Sequence, residues 1–307
     1  MGVNSYRVGT GAYPYQRKGE NNMAKIGIIG GSGLYYIEGI QKIERVTLQT
    51  PFGNPSDEFT TGILEGIEVV FLPRHGKGHR ISPSEINFRA NIFGMKKLGV
   101  NAILSVSACG SLKDELKPMD FVIPDQFVDR TNKARESSFF TNGIVGHVAF
   151  ADPISPEVAD ILYQSAKKLK LPIHKGGTYL NMEGPQFSTK AESNLYRSWG
   201  MDIIGMTNMA EAKLAREAEI SYATLAAITD YDCWHPSHES VTIEMIIANL
   251  NNNVSNAKKI LKAAIAKLGK VTKFSAEGTL KYKIMTQRDV IPGKIKKDLN
   301  IIIGKYV

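Results

Sequence analysis

Apolar positions along this chain alternate between short continuous runs and longer stretches with helical spacing. Residues 25–29 (KIGII) form a β-branched run ending in glycines, which predicts a buried strand and a tight turn. Residues 62–72 (GILEGIEVVFL) predict a hairpin with Glu65-Gly66 at its tip. Pro83 and Ser84 open a helix that runs to about Leu98, where Gly99 is placed to stop it. Residues 101–106 predict another buried strand, followed by the small residues Ser107-Ala108-Cys109-Gly110, and residues 121–123 continue in the same style.

From Pro156 the apolar positions Val158, Ile161, Leu162, Ala166 and Leu169 recur at helical spacing. Residues 178–182 and 202–206 read as strands, 210–218 as a helix and 222–229 as a final buried strand. Residues 241–268 form a long amphipathic helix ended by Gly269. Strands alternating with helices predict one α/β domain with a largely parallel sheet. The chain divides into an N-terminal extension (1–22), expected to be flexible, a body (23–269) and a basic C-terminal extension (270–307).

Composition adds limits. With 43% hydrophobic and 22% charged residues the chain is ordinary for a globular protein. No apolar run approaches the ~20 residues of a membrane span. Residues 1–22 lack a secretory pattern, and Met23 stands just before the first strand, so they read as a loose extension or a misassigned start. Two cysteines, Cys109 and Cys233, fit a reducing, cytoplasmic setting. The net charge of +8 resides in the extensions: residues 1–22 carry +2 and residues 270–307 carry +6, which leaves the body neutral. No overall positive field attracts a polyanion, so nucleic acid is not the expected partner.

Candidate chemistry clusters at strand ends. The turn Gly30-Gly31-Ser32-Gly33 follows a strand and has glycines that permit positive φ and close approach of N–H groups to an anion. It matches neither a dinucleotide fingerprint nor a P-loop, and a tight connection is the other reading. Arg74-His75-Gly76 ends the hairpin, where an arginine can take phosphate by a forked contact and His75 can donate to the same anion or pair with backbone. Ser107-Ala108 and Met206-Thr207 stand where strands end and ligands of open α/β sheets bind. Asp230 and Asp232 in Thr229-Asp230-Tyr231-Asp232 point to one side if the strand continues, and such a pair keeps one carboxyl protonated; a turn-forming pair is the alternative. Cys109 reads as a packing residue, and His235-Pro236-Ser237-His238 lacks metal-ligand spacing, so no metal is expected.

Together the blocks KIGIIGGSGL, TPFGNPSD, PRHGKGH, INFRAN, SACGSL, DQFVDRT, EGPQFSTKAES, GMT and TDYDCW, over about residues 25–268, resemble the methylthioadenosine-cleaving members of the trimeric purine nucleoside phosphorylase family. The resemblance implies a single-domain nucleoside phosphorylase-like fold with a central, twisted, mixed and largely parallel sheet. It implies phosphorolysis of 5′-methylthioadenosine, with a purine nucleoside phosphorylase of broader specificity (adenosine, inosine, guanosine) as the alternative. Phosphate is implied as co-substrate and no cofactor. Ser32, Arg74, His75, Ser107, Ala108 and Thr207 would surround phosphate. Met206 would lie against the ribose, with Glu183 nearby. Phe187 and Ser188 would border the base, and Asp230 and Asp232 its edge, Asp230 protonating N7. Ile243, Ile246 and Ile247 would line an apolar pocket for the 5′-methylthio group. His147 would reach a neighbouring site, which requires a homotrimer or homohexamer. The segment Thr207-Asn208-Met209-Ala210-Glu211 lacks the family's proline, so a shift of that loop is expected. The tail from 270 matches no family pattern and is assigned to assembly or to capping the 5′ pocket. Rival classes are a nucleosidase that uses water and a nucleic-acid-binding protein suggested by the basic tail alone.

Overall fold

The computed structural model describes residues 23–31, 34, 37–132, 135–236 and 243–307. The first half of the chain supplies β1 (Ile26–Gly30), β2 (Gln41–Val46), β3 (Phe59–Leu64), β4 (Ile67–Pro73), α1 (Phe88–Lys97), β5 (Ala102–Ser111), β6 (Phe121–Ile123) and β7 (Gln126–Arg130). The second half supplies α2 (Pro156–Lys168), β8 (Ile173–Lys175), β9 (Thr178–Met182), α3 (Lys190–Ser198), β10 (Ile203–Gly205), α4 (Asn208–Glu217), β11 (Ser221–Asp230), α5 (Ile243–Leu268), α6 (Gly293–Asp298) and α7 (Asn300–Ile303).

One mixed sheet runs β2-β3-β4-β1-β5-β10-β9-β7, and β11 leaves it at β5 to reach β6 and β8. Among the described residues, six strand pairings are parallel and four antiparallel. The sheet branches because β5 is long: residues 102–105 pair with β1, residues 102–110 follow β11, and Gly110 and Ser111 pair with β10. β4, β1, β5 and β11 are mutually parallel, so Pro73, Gly30, Ser111 and Asp230 lie at one edge. Every residue of β1 and of β11 is buried. That explains their continuous apolar runs, since strands covered on both faces have no polar side to alternate with.

The hairpin forms as predicted, with Glu65 and Gly66 both at positive φ, which suits a two-residue turn matched to strand twist. The helix expected from Pro83 starts later, at Phe88. Asn87 caps it by accepting from the Ala90 N–H at 3.0 Å, while Ser82 and Glu85 close a separate turn before it. β5 continues through the small-residue segment expected to follow it. Several elements gave no apolar run: β2 is almost wholly exposed, and β7 and β8 are short or half exposed. α3 did have a signal, the capping box of Thr189 with Glu192.

The residues from 270 onward are not a detached tail. Phe274, Leu280, Ile291, Leu299, Ile302 and Ile303 are buried in the same core cluster as β1, β5 and α5, while Lys281, Lys283, Arg288 and Lys294 remain exposed. The basicity is therefore a solvated face on an anchored segment.

Candidate active site

A cavity of about 300 Å³ opens at the carboxyl ends of β4, β1, β5 and β11, walled by the end of β10, the start of α4 and the middle of α5. It gathers Arg74, His75, Ser107, Ala108, Met206, Thr207, Phe187, Asp230 and Asp232 from the sequence-predicted set.

Arg74 forms one pole. It is 1% exposed, and Glu211 of α4 clasps it through Nε at 2.5 Å and Nη2 at 3.1 Å. Nη1 donates to the Val106 carbonyl at 3.0 Å and Nη2 to Ser105 Oγ at 2.6 Å. The expected forked contact with an anion is thus corrected: the fork holds Glu211, because a guanidinium this deeply buried requires a fixed carboxylate. These bonds take four of its five N–H groups, and Arg74 itself lines the cavity.

His75 donates Nδ1–H to the Ile81 carbonyl at 2.8 Å and stacks on His79, ring centroids 4.2 Å apart. Burial, then the charge of Arg74, pushes its pKa down to about 4, so the ring is neutral near pH 7. With Nδ1–H committed, Nε2 is an acceptor, so of the two readings of His75 the structure shows the backbone pairing. His79 also lines the cavity, and no isolated sequence signal marked it.

The glycine turn is only partly described. Ser32 and Gly33 lie outside the described residues. Gly30 and Gly31 do not use the positive φ that glycine permits. Gly30 is needed for space, since a Cβ there would come 2.8 Å from the Leu34 Cβ. Gly31 lines the cavity.

α4 begins at Asn208 without a side-chain cap on its backbone; the Thr207 hydroxyl instead donates to Asn208 Oδ1 at 3.3 Å. The absent proline leaves Met206 and Thr207 on the cavity wall. Asn208 fixes this corner from beneath: its Nδ2 lies 3.0 Å from each of Ser105 Oγ, Tyr222 OH and Thr224 Oγ1, and its Oδ1 accepts from Tyr179 OH at 2.9 Å.

The opposite pole is acidic. β11 bulges between Ile228 and Asp230 and stops there, so Asp232 is not carried to the same side by strand alternation. A turn with Asp232 at φ +51° brings it back, and its N–H donates to Asp230 Oδ1 at 2.8 Å. The Thr229 hydroxyl donates to Asp230 Oδ2 at 2.7 Å. Gly110 makes room, for a Cβ there would lie 3.0 Å from Asp230 Oδ1. Burial outweighs these bonds and raises the Asp230 pKa to about 6; burial likewise raises that of Asp232. Cys109 lines the same floor, but burial pushes its thiol up to about 11, so it is inert packing.

Glu183, Ser188 and His147 do not line the cavity. Glu183 sits behind its wall, held by Ser84 Oγ, by the Asn132 N–H at 3.2 Å and by Arg135 at 3.2 Å. Arg135, which sequence reasoning missed, also donates to the backbone carbonyls of Glu183 and Met206 and so ties two wall segments together. The Ser188 carbonyl accepts from Cys233 Sγ at 3.3 Å, which turns its backbone toward the Asp232 loop. His147 is exposed on a segment paired with residues 283–285 and is not among the residues that line this cavity. Ile243, Ile246 and Ile247 fall on the first turns of α5, where side chains lie outside the described residues. Further along α5, Val254 and Ala257 present an apolar wall with Asn253 between them and β11.

Among the described residues no three His, Cys, Asp or Glu side chains gather to hold a metal ion, and no helix is long and apolar enough to cross a membrane. A cavity with a neutral imidazole, a fixed guanidinium and a helix start at one end, and a protonatable carboxyl at the other, can hold an anion against one face of a ligand and give a proton to the opposite end.

The model of the phosphorylase superfamily matches residues 25–266. An S-methyl-5'-thioadenosine phosphorylase of Geobacter sulfurreducens is 54% identical over 282 residues, spanning 92% of this chain and 99% of that protein. One from Thermosynechococcus vestitus is 55% identical over 288 residues, with 92% and 99% covered. Among solved structures, a methylthioadenosine phosphorylase from an antarctic soil metagenomic library superposes with a TM-score of 0.87 at 49% identity, covering 92% of this chain and 99% of its own. The Schistosoma mansoni enzyme in complex with adenine gives 0.75 at 35% identity, covering 92% and 98%.

Proposed function

This chain belongs to the phosphorylase superfamily, and we propose that within it the protein cleaves 5′-methylthioadenosine with phosphate to adenine and 5-methylthioribose 1-phosphate. The observation that carries the reading is the pairing, across one cavity, of the Arg74–Glu211 pole with the raised carboxyl of Asp230. Relatives more than half identical over nearly their whole length bear the same activity in their names.

The chemistry follows from the poles. Phosphate enters as the dianion HPO₄²⁻, facing the remaining Nη1–H of Arg74, the Thr207 hydroxyl and the N-terminal end of α4. Neutral His75 accepts from the phosphate hydroxyl through Nε2 without adding charge. A phosphate oxygen attacks C1′ as the bond to N9 breaks, and the oxocarbenium character of the sugar is stabilised by the adjacent anion. Asp230 gives its proton to N7, so the base leaves neutral. The product ester is a dianion, and the proton lost by phosphate restores Asp230. The second oxygen of Asp230 accepts from a 6-amino group, which favours adenine over 6-oxopurines. Asp232 supports Asp230 through its N–H. We read the reaction as a step of purine and methionine salvage in the cytoplasm. The exposure of His147, outside its own chain's cavity, supports a homo-oligomer in which it serves a neighbour.

The test is turnover of methylthioadenosine, adenosine and inosine with and without added phosphate. We expect strict phosphate dependence, methylthioadenosine as the best substrate and inosine as the poorest. Equal cleavage in phosphate-free buffer would make the protein a nucleosidase.

A further inference from the structure

Behind the cavity wall lies a buried guanidinium that the reaction above does not use. The Arg135 side chain is 5% exposed, and Arg135 is not among the residues that line the cavity. Nε and Nη2 reach Glu183 Oε1 at 3.3 and 3.2 Å, which balances the charge. Nη2 also donates to the Glu183 carbonyl at 2.6 Å, and Nη1 donates to the Met206 carbonyl. These two carbonyls belong to different pieces of wall. Met206 and Thr207 line the cavity and lead into α4, whose Glu211 clasps Arg74 at the anion pole. Met182 and Phe187 line it on either side of Glu183 in the chain, and the next carbonyl, that of Ser188, accepts from Cys233 beside Asp232 at the acid pole. The two pieces touch, since a Cβ on Gly184 would fall 2.4 Å from Met206 Sδ. Asn181 Nδ2 also lies 3.2 Å from the Met206 carbonyl, so that oxygen stays paired and the fold is retained when Arg135 is replaced.

We propose that Arg135 is a positioning residue that aligns phosphate with the nucleoside, by bracing the wall segment of the anion pole against that of the acid pole. The inference rests on the reaction assigned above and deepens it. Each ligand has its own pole, and none of the Arg135 bonds reaches Arg74, Asp230 or Asp232, so either ligand binds without the brace. Attack is different: a phosphate oxygen must meet C1′ while Asp230 meets N7, and that registry depends on the spacing of the two segments. The brace therefore acts on kcat and leaves KM alone. Lysine keeps the charge beside Glu183 but lacks the planar fork that joins two carbonyls.

The experiment follows methylthioadenosine phosphorolysis by the wild type, Arg135→Lys and Arg135→Met. Steady-state kcat and the KM values for both substrates are measured, together with single turnovers at excess enzyme, which count only folded, loaded sites. Calorimetry with adenine gives the number of competent sites per chain. We expect kcat and the single-turnover rate to fall together, about tenfold in Arg135→Lys and about 10²-fold in Arg135→Met. Both KM values should stay within about twofold of wild type. A full single-turnover rate in Arg135→Lys would mean that charge beside Glu183 suffices, and overturns the inference. Fewer adenine sites per chain at an unchanged single-turnover rate would make Arg135 a fold anchor and overturns it as well. So does a raised KM for either substrate at unchanged kcat. Absence of phosphate-dependent turnover in the wild type overturns the reaction itself, and the inference with it, which keeps the two failures apart.

Discussion

The α4–β11 pair has two ends that bury carboxyl groups in similar ways and use them differently. At the cavity end stands Asp230, 8% exposed, and at the far end stands Glu217, 6% exposed. Neither has a cationic partner among the described residues, and burial raises both, Asp230 to about 6 and Glu217 to about 7. Asp230 opens on the cavity, while Glu217 spends its oxygens on Ser138 Oγ at 2.8 Å and the Phe139 N–H at 2.6 Å, away from it. A displaced pKa thus reports burial, and only access to a ligand turns it into chemistry.

The sharpest way to break this contrast is to neutralise each group. Asp230→Asn should lower kcat/KM by about 10²–10⁴, since the proton donor is lost. Wild-type kcat/KM should fall as pH rises through about 6, where Asp230 of the free enzyme ionises, and the asparagine variant should lose that limb. Glu217→Gln should leave kcat/KM unchanged; a comparable loss there would erase the distinction between the two ends. Next in size is Glu211→Gln, which leaves Arg74 buried beside a neutral amide. Breaking a buried pair in this way costs about 3–5 kcal/mol, to be read by denaturant unfolding, together with a raised KM for phosphate. An unchanged phosphate KM would show that Arg74 does not need Glu211 to face the anion.

Asp230 was legible from sequence because it ends a continuous apolar run, which placed it at a strand terminus before any coordinates. Glu217 was not, because it sits in an Ala/Glu/Lys-rich helix whose charged residues look alike; only packing separates a solvated glutamate from a buried one. The core strands were readable for the same reason as Asp230, whereas β2, β7 and β8 lack apolar runs and are specified by pairing. Arg135 and His79 escaped notice because their roles depend on contacts with residues distant in sequence, such as Arg135 with Glu183 and Met206. The burial of Phe274, Leu280, Ile291, Leu299, Ile302 and Ile303 was hidden by the surrounding lysines, although residues 301–303 were an isoleucine run in plain view.

The far end offers a subtler test through pH. Glu217 has a folded pKa of about 7 against an ordinary 4.5, so its contribution to stability is full below 4.5 and is lost as pH rises through 7. A neutral glutamine has no such dependence. The difference in unfolding free energy between Glu217→Gln and wild type should therefore shift by on the order of 2–3 kcal/mol in favour of the variant between pH 4.5 and pH 8. A constant difference would mean that the carboxyl does not titrate there.

The smallest effect is expected two residues further on, where Glu219 is equally buried yet held in the opposite charge state. Burial alone would raise its pKa, but hydrogen bonds from Lys305 and Tyr306 and from the Leu280 N–H outweigh it and lower the pKa. This carboxylate fastens the C-terminal residues to the body: Lys305 Nζ lies 2.6 Å from Oε2, Tyr306 OH donates to Oε1 at 2.6 Å, and the Leu280 N–H donates to Oε1 at 3.0 Å. The Lys305 side chain is 58% exposed, so solvent screens the pair. Lys96, whose pKa burial lowers to about 8, faces the same carboxylate and can take over part of the neutralisation. Lys305→Met should consequently cost no more than about 1 kcal/mol at low salt, less at 1 M salt, with kcat/KM unaltered. A loss as large as that of Glu211→Gln would show that cation exposure does not set the difference, because a screened pair would then weigh as much as a buried one.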